Sequence, residues 1–311
     1  MRLRALVRAR SAPPRTPARR RVPEEVLRKV RQVEIKARIL ADEGFLGTFR
    51  SVFRGSGLEF EEVREYEPGD EIRTIDWNVT ARMGAPYVKK FREERELNLI
   101  LAVDLSASSW FGTAHQSKRE LAADVAALLA VTALRTNDKV ALLLFSDRVQ
   151  KYVPPRRERD HVLRVIEELL FAESRRARTD LEGPARYLAN VAKKRSLVFV
   201  LSDFLDTPFE GPLRLLGRKH DVIGLTLNDP REEELPPVGL IGLEDAETGR
   251  VEYVDTADAR LRASFAESAR QRRGERVRSF SRIGLDTADL WTDRPYVPAL
   301  MALFASRARR A

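Results

Sequence analysis

From position 97 onward the chain alternates short, nearly unbroken apolar runs with longer stretches in which apolar residues recur at helical spacing. The runs at 97–103, 140–145, 149–153, 197–201, 222–227 and 289–291 predict strands. The stretches at 117–134, 159–171, 181–194, 209–216, 256–280 and 296–307 predict helices. Strands that alternate with helices imply a mostly parallel sheet covered on both faces, and runs such as "LNLILAV" and "SLVFVLS" suit its doubly covered centre. "VALLLFSDRVQKYV" breaks the alternation, since two strands meet there at a turn of Ser146, Asp147 and Arg148. This predicts a hairpin with an antiparallel edge strand. A second hairpin is expected in "VGLIGLEDAETGRVEYVD", residues 238–255, turning near Thr248 and Gly249.

The expected fold class is therefore α/β: a doubly wound, mostly parallel six-stranded sheet with one antiparallel edge strand, helices on both faces and an inserted β-hairpin. Ahead of it, Pro23 precedes Glu24 and Glu25, and Val26, Leu27, Val30, Val33, Ile35 and Ile39 give helical spacing to about position 41. Residues 44–96 read as a mixed segment of short extended pieces, punctuated by Gly44, Gly47, Gly55, Gly57 and a type II turn at Pro68–Gly69. The expected organisation is a basic tail over 1–22, an N-terminal segment over 23–96 packed on the main domain, and the α/β domain over 97–311.

Composition narrows the class without changing it. A charged fraction of 33% and a hydrophobic fraction of 43% over 311 residues describe a soluble globular chain. The longest apolar stretch, "VAALLAVTAL" at 125–134, is short of the roughly 20 residues a spanning helix needs, so no transmembrane segment is expected. There is no cysteine, which excludes disulfides, thiolate metal sites and cysteine nucleophiles and fits a cytoplasmic location. The net charge of +9 suggests nucleic acid until it is located: eight arginines and no acid fall in residues 1–21. The rest of the chain is nearly neutral, and no specific nucleic-acid partner is expected. The tail itself reads as solvated and without a specific ligand. Its composition also resembles an organellar transit peptide, and an over-long start or an electrostatic tether is equally compatible with it.

Candidate chemistry lies where the apolar runs stop. In sheets of this type ligands bind beyond the carboxyl ends of the strands, where the strand order reverses. Asp104 follows the first strand of the regular region and Asp203 follows "LVFVLS"; if those strands are neighbours, two carboxylates meet. Close negative charges repel unless something positive lies between them, and a hard divalent cation with oxygen ligands suits that position. Ser106 and Ser108 alternate with Asp104 along "DLSAS" and can point to the same side, whereas Ser109 falls off the alternation. Thr179, before the 181–194 helix, adds a further hydroxyl; helix capping by Thr179 or Asp180, and by the serines, is the competing explanation.

Asp104-x-Ser106-x-Ser108, Thr179 and Asp203, in this order, resemble the metal-ion-dependent adhesion site of von Willebrand factor type A domains. The resemblance implies Mg²⁺, or Mn²⁺, bound directly by Ser106 and Ser108 and directly or through water by Asp104, Thr179 and Asp203. "GLEFEEVREYEPGDEIRTIDWNVTAR", residues 57–82, is similar to the signature of the bacterial domain-of-unknown-function family 58. The matching residues are Gly57, Glu59, Phe60, Arg64, Tyr66, Pro68, Gly69, Asp70, Arg73, Ile75, Asp76, Trp77, Ala81 and Arg82, and "VKKFREERE" and "DLWTD" extend the likeness to about 24–308. The tail is outside that pattern, and the transmembrane pair of longer relatives is not expected here. Within the signature, Phe60, Ile75 and Trp77 are expected to pack on the sheet domain, with Arg73 or Arg82 as alternative holders of a partner carboxylate.

No phosphate-binding loop, no H-E-x-x-H and no G-x-S-x-G occurs, and His115, His161 and His220 lie apart in the sequence. The expectation is a non-enzymatic, metal-dependent binding protein whose cation takes an Asp or Glu carboxylate of a protein partner. The resemblance implies work beside a MoxR-type AAA+ ATPase in assembling or maturing other proteins. A metal-dependent hydrolase on the same sheet, or a scaffold whose site holds no metal, are the alternatives.

Overall fold

The structure is a computed structural model that describes residues 24–53, 57–94, 97–113, 116–172, 178–205, 208–245 and 248–310. In chain order the helices and strands are α1 (Glu24–Leu40), α2 (Glu43–Val52), β1 (Gly57–Glu65), α3 (Trp77–Met83), β2 (Tyr87–Glu94), β3 (Asn98–Asp104), α4 (Lys118–Arg135), β4 (Lys139–Phe145), β5 (Val149–Arg156), α5 (Arg159–Phe171), α6 (Glu182–Val191), β6 (Leu197–Ser202), α7 (Glu210–Gly217), β7 (Asp221–Asn228), β8 (Leu240–Glu244), β9 (Val251–Asp255), α8 (Ala259–Arg282), β10 (Asp286–Trp291) and α9 (Val297–Ala308). The central sheet has the order β10-β7-β6-β3-β4-β5. Every pair in it is parallel except the edge pair β4–β5. The α/β class, the six strands and the antiparallel edge are as the hydrophobic pattern predicts.

Alternation along each strand divides the core. Leu99, Leu101 and Val103 face the side packed with α1, α2, α4, α5 and α9, whereas Ile100 and Ala102 face the side holding Leu188 of α6, Leu213 of α7 and Phe280 of α8. The chain leaves β3 through β4 and β5, then returns to the other side of β3 as β6. The order therefore reverses between β3 and β6. Their in-register pairing, Val103 against Leu201, puts the ends of both strands side by side.

The N-terminal region departs from expectation. Gly44 and Gly47 suggested loop, yet 43–52 is helical, because Asp42 accepts the Phe45 N–H at 2.8 Å and caps α2. Phe45, Phe49 and Phe53, four residues apart, then meet the Phe304 ring at centroid distances of 5.5, 5.8 and 5.2 Å. Tertiary packing outweighs the weak propensity of two glycines. An Asp42→Ala protein is expected to lose about 1 kcal/mol of stability. A shift in urea midpoint at unchanged slope measures this, and an unshifted midpoint would show the cap to be idle.

Strands β1 and β2 pair as an antiparallel hairpin with an irregularity at Phe60/Glu62. Between them Asp70 N–H donates to the Glu67 carbonyl at 3.0 Å with Gly69 at φ 118°, the type II turn expected at Pro68–Gly69. Arg64 pairs with Asp70 at 2.7 Å, and Asp76 caps α3 and pairs with Lys89 at 3.2 Å. The expected anchoring by Trp77 does not hold: it begins α3 with its first turn turned outward and is 66% exposed. Ile75 is only half-buried, and the side chain of Phe60 lies outside the described residues. The second predicted hairpin is present as β8–β9, with Gly249 in the left-handed region at its turn.

Candidate functional site

The residues singled out by pattern converge at the carboxyl ends of β3 and β6. Asp104 is the last residue of β3 and only 3% exposed. Its Oδ1 accepts the Ser106 N–H at 2.8 Å, and its Oδ2 accepts the hydroxyls of Ser202 at 2.7 Å and Thr179 at 3.1 Å. Ser106 is fully buried, and its Oγ lies 3.1 Å from that of Ser108. Ser109 turns away and donates to the Ser106 carbonyl at 2.7 Å. Capping does not account for these hydroxyls. Ser117 forms the capping box of α4 with Glu120, and Asp180 accepts the N–H groups of Glu182 and Gly183 at the start of α6. Thr179 is thereby left to face Asp104, on a loop tied down by the Asp180 N–H bond to the Ser146 carbonyl at 2.8 Å.

Asp203 follows β6 at a backbone turn that only a packed environment holds. Phe204 has φ 52°, a left-handed conformation unfavourable for a bulky residue, and its ring is fixed against Phe209 and Phe280 at 5.3 and 5.1 Å. That turn directs the Asp203 carboxylate back toward the β3 loop, where the Ser108 hydroxyl hydrogen-bonds it. Its Oδ1 accepts the Leu205 N–H at 3.2 Å, and its carbonyl accepts Arg276 Nη1 at 3.1 Å.

Pattern reasoning assigned the positive charge here to a metal, but the chain brings one of its own. Lys118, the first residue of α4, is 1% exposed, and its Nζ donates to Asp203 Oδ2 at 2.8 Å and Glu232 Oε1 at 2.6 Å. Burial works against its charge, yet the two carboxylates outweigh burial and raise its pKa. Burial likewise works to raise the Asp203 carboxyl, and the Lys118 ammonium overrides it, so Asp203 lies below the usual range. Asp104 has no such partner: burial, then the neighbouring Asp203 charge, push it up to about 6.

A third buried carboxylate braces the site. Asp229, fully buried beyond β7, accepts from Thr113 N–H at 2.9 Å and Thr113 Oγ1 at 2.5 Å, which fixes the far end of the loop that begins at Leu105. Thr292 Oγ1 and Arg231 N–H donate to it as well, at 2.7 and 2.9 Å. Lys118, Ser202, Asp229, Glu232 and Arg276 all escaped the sequence reading. Asp229 and Glu232 were visible as a D-x-x-E capping box in "DPRE". Lys118 gave no signal, since a lysine in a first helical turn looks solvated.

The assembled donors are two carboxylates and three hydroxyls, all hard oxygens, with one ammonium bonded to one carboxylate. Among the described residues no group of three or more His, Cys, Asp or Glu side chains is arranged to hold a metal, so any cation here would rest on the hydroxyls as much as on the acids. Two histidines are remote: His161 Nε2 is bonded to the Val140 carbonyl at 2.8 Å, and His220 precedes β7, both at the opposite end of the sheet. His115 lies outside the described residues.

Uncharacterized proteins of Mycobacterium tuberculosis and Mycobacterium bovis are each 35% identical to this chain over 288 residues, covering 91% of it and 90% of the relative. Among solved structures, the conserved hypothetical protein BatB of Bacteroides thetaiotaomicron overlays 68% of this chain and 99% of its own at 15% identity, with a TM-score of 0.44. An aerotolerance-related membrane protein of Bacteroides fragilis overlays 69% and 100% at 13% identity, with a TM-score of 0.45. In the chain described here no helix among the described residues is long and apolar enough to cross a membrane. The model of the family described as "Protein of unknown function DUF58" matches residues 62–275, from the β1–β2 hairpin through the whole site to α8, and the chain belongs to that family.

Proposed function

We propose that the protein is a von Willebrand factor A-type, divalent-cation-dependent binding adaptor rather than a catalyst. The observation that carries this reading is the convergence of Asp104, Ser106, Ser108, Thr179 and Asp203 at the point where the strand order reverses, with Asp104 charged against its surroundings. The residues fit Mg²⁺ or Mn²⁺. All five are oxygen donors, and the 3.1 Å between Ser106 Oγ and Ser108 Oγ matches an octahedral edge of about 3 Å for ligands at magnesium distances. Ser106 and Ser108 would bind directly, while Asp104, Thr179 and Asp203 would bind directly or through water. A bound cation supplies an open position for an Asp or Glu carboxylate of a partner. Ser202, the Ser106 N–H and Thr179 hold the Asp104 carboxylate in one orientation, and Asp229 holds the serine loop. A MoxR-type AAA+ ATPase is the proposed energy source, and the chain's own role is capture.

Saturable binding of Mg²⁺ and Mn²⁺, lost in Asp104→Ala and Asp203→Ala, is the expected calorimetric result. Partner capture that disappears in chelator and in the same variants is expected alongside it. No saturable binding at millimolar cation would end the metal reading. It would leave the second reading, favoured by the bonds from Lys118 to Asp203 and Glu232: a polar cluster in which the lysine takes the place of a metal.

A further inference from the structure

We infer that Lys118 is a tethered cation that competes with the divalent ion for Asp203, so that occupancy of the site is set by where this ammonium sits; the inference rests on the metal reading above. The geometry supports it from three sides. Nζ is bonded to a carboxylate oxygen of the proposed donor set, at 2.8 Å. It has a second carboxylate outside that set, Glu232 at 2.6 Å, onto which it can fall back without losing all of its charge partners. It is 1% exposed, and the two acids are the partners its ammonium bonds.

The electrostatics give a direction. A unit positive charge within hydrogen-bonding distance of a ligand oxygen opposes a divalent ion at the same oxygen far more strongly in a buried site than in water. Asp203 has to be shared or released by Lys118 before its charge is available in full. Glu232 therefore acts as the resting place of the ammonium, and the backbone of Asp229 holds it there: its carboxylate also accepts the Asp229 N–H at 3.0 Å, within the capping box that follows β7. This also explains why a lysine is buried in the first turn of α4, where its charge gains nothing from the helix dipole.

The alternative is that Lys118 is a positioning residue that aims Asp203 at Ser108 and so assists the metal. The two predict opposite signs. In Lys118→Met, which keeps the length of the side chain and removes the charge, Mn²⁺ measured by calorimetry or electron paramagnetic resonance is expected to bind at least about tenfold more tightly than to the parent. Equal or weaker binding in that variant, with the parent binding, overturns the competition and leaves the metal reading standing. Binding by neither protein overturns both. Binding by Lys118→Met alone supports the competition in its strongest form. A second measurement needs no variant: in parent protein carrying isotope-labelled lysine, the Lys118 ammonium resonance, slowed in exchange by its two carboxylates, is expected to move on titration with Mg²⁺ as the Asp203 bond is given up. An ammonium signal unchanged at saturating Mg²⁺ would count decisively against it.

Discussion

In chelator, a Lys118→Met protein is expected to be less stable than the parent by about 3–5 kcal/mol, the cost of removing one partner from a buried ion pair. The loss does not come from the bonds of Lys118 themselves. The cost of bringing this ammonium out of water offsets much of what its pairing returns, since burial and the two acids pull its pKa in opposite directions and the acids prevail only on balance. What the variant leaves behind is the Asp203 carboxylate, 5% exposed, and a Glu232 carboxylate that is 25% exposed, both without the ammonium that bonded them. Removing the pair together is expected to be milder, so Lys118→Met with Asp203→Asn should recover part of the loss. Urea unfolding of the parent, the single and the double variant at neutral pH measures all three on one scale. Excess Mn²⁺ is expected to narrow the gap between the single variant and the parent, because a ligand bound only by the folded state adds to its stability. A single-variant loss below about 1 kcal/mol would mean that water reaches the two acids and that the pair is not buried in the sense used here.

The fold was legible because its signals were long. Apolar runs bounded by turn residues located all six strands of the central sheet, and the abrupt change in "VALLLFSDRVQKYV" identified the edge hairpin, since a parallel crossover does not fit in three residues. The β10 strand begins three residues before its predicted start, because Asp286 and Thr287 read as loop while their backbone pairs with β7. What failed depended on distant contacts. The α2 helix exists because Phe45, Phe49 and Phe53 find Phe304 some 250 residues later, and no local window contains that ring. Trp77 was read as an anchor because large aromatics are usually inside, yet its helix presents it to solvent.

The site divides in the same way. Asp104, Ser106 and Ser108 were legible from the two-residue period of extended chain, and Asp203 from the neighbouring strand end. Thr179 followed from loop position, and its 3.1 Å bond to Asp104 realises that placement. Lys118 was not legible because it does not sit at a strand end, and Glu232 showed only as part of a capping box. Lys118 reaches the site from the side, at the start of a helix, and Glu232 reaches it from a short turn after β7. A sequence can show which acids need a cation more readily than it can show that a lysine elsewhere supplies part of it.

Asp104→Asn is expected to be more stable than the parent in chelator at neutral pH, and the difference is expected to vanish in acid. The folded-state pKa of Asp104 is raised to about 6 by burial and by the Asp203 charge, above the ordinary value of 3.8. Between these two values the folded protein holds a proton that the unfolded chain has released. For this group, stability therefore falls as pH rises through the window from about 4 to about 6, and the full penalty is present above it. Two pH units correspond to about 3 kcal/mol. Asparagine carries no charge at any pH, and the hydroxyls of Ser202 and Thr179 can reverse from donor to acceptor to serve its amide, so the variant avoids the penalty. The stability difference between variant and parent, followed by urea unfolding from pH 4 to pH 7.5, should grow from near zero to about 3 kcal/mol. A difference independent of pH would show that Asp104 ionises normally. The sign also separates the two readings of the site. A purely structural cluster gains nothing by keeping a carboxyl that destabilises the fold at neutral pH, whereas a cation site needs that charge and tolerates the penalty as the usual cost of a binding residue. With Mg²⁺ in excess the order should then reverse, the parent becoming the more stable protein.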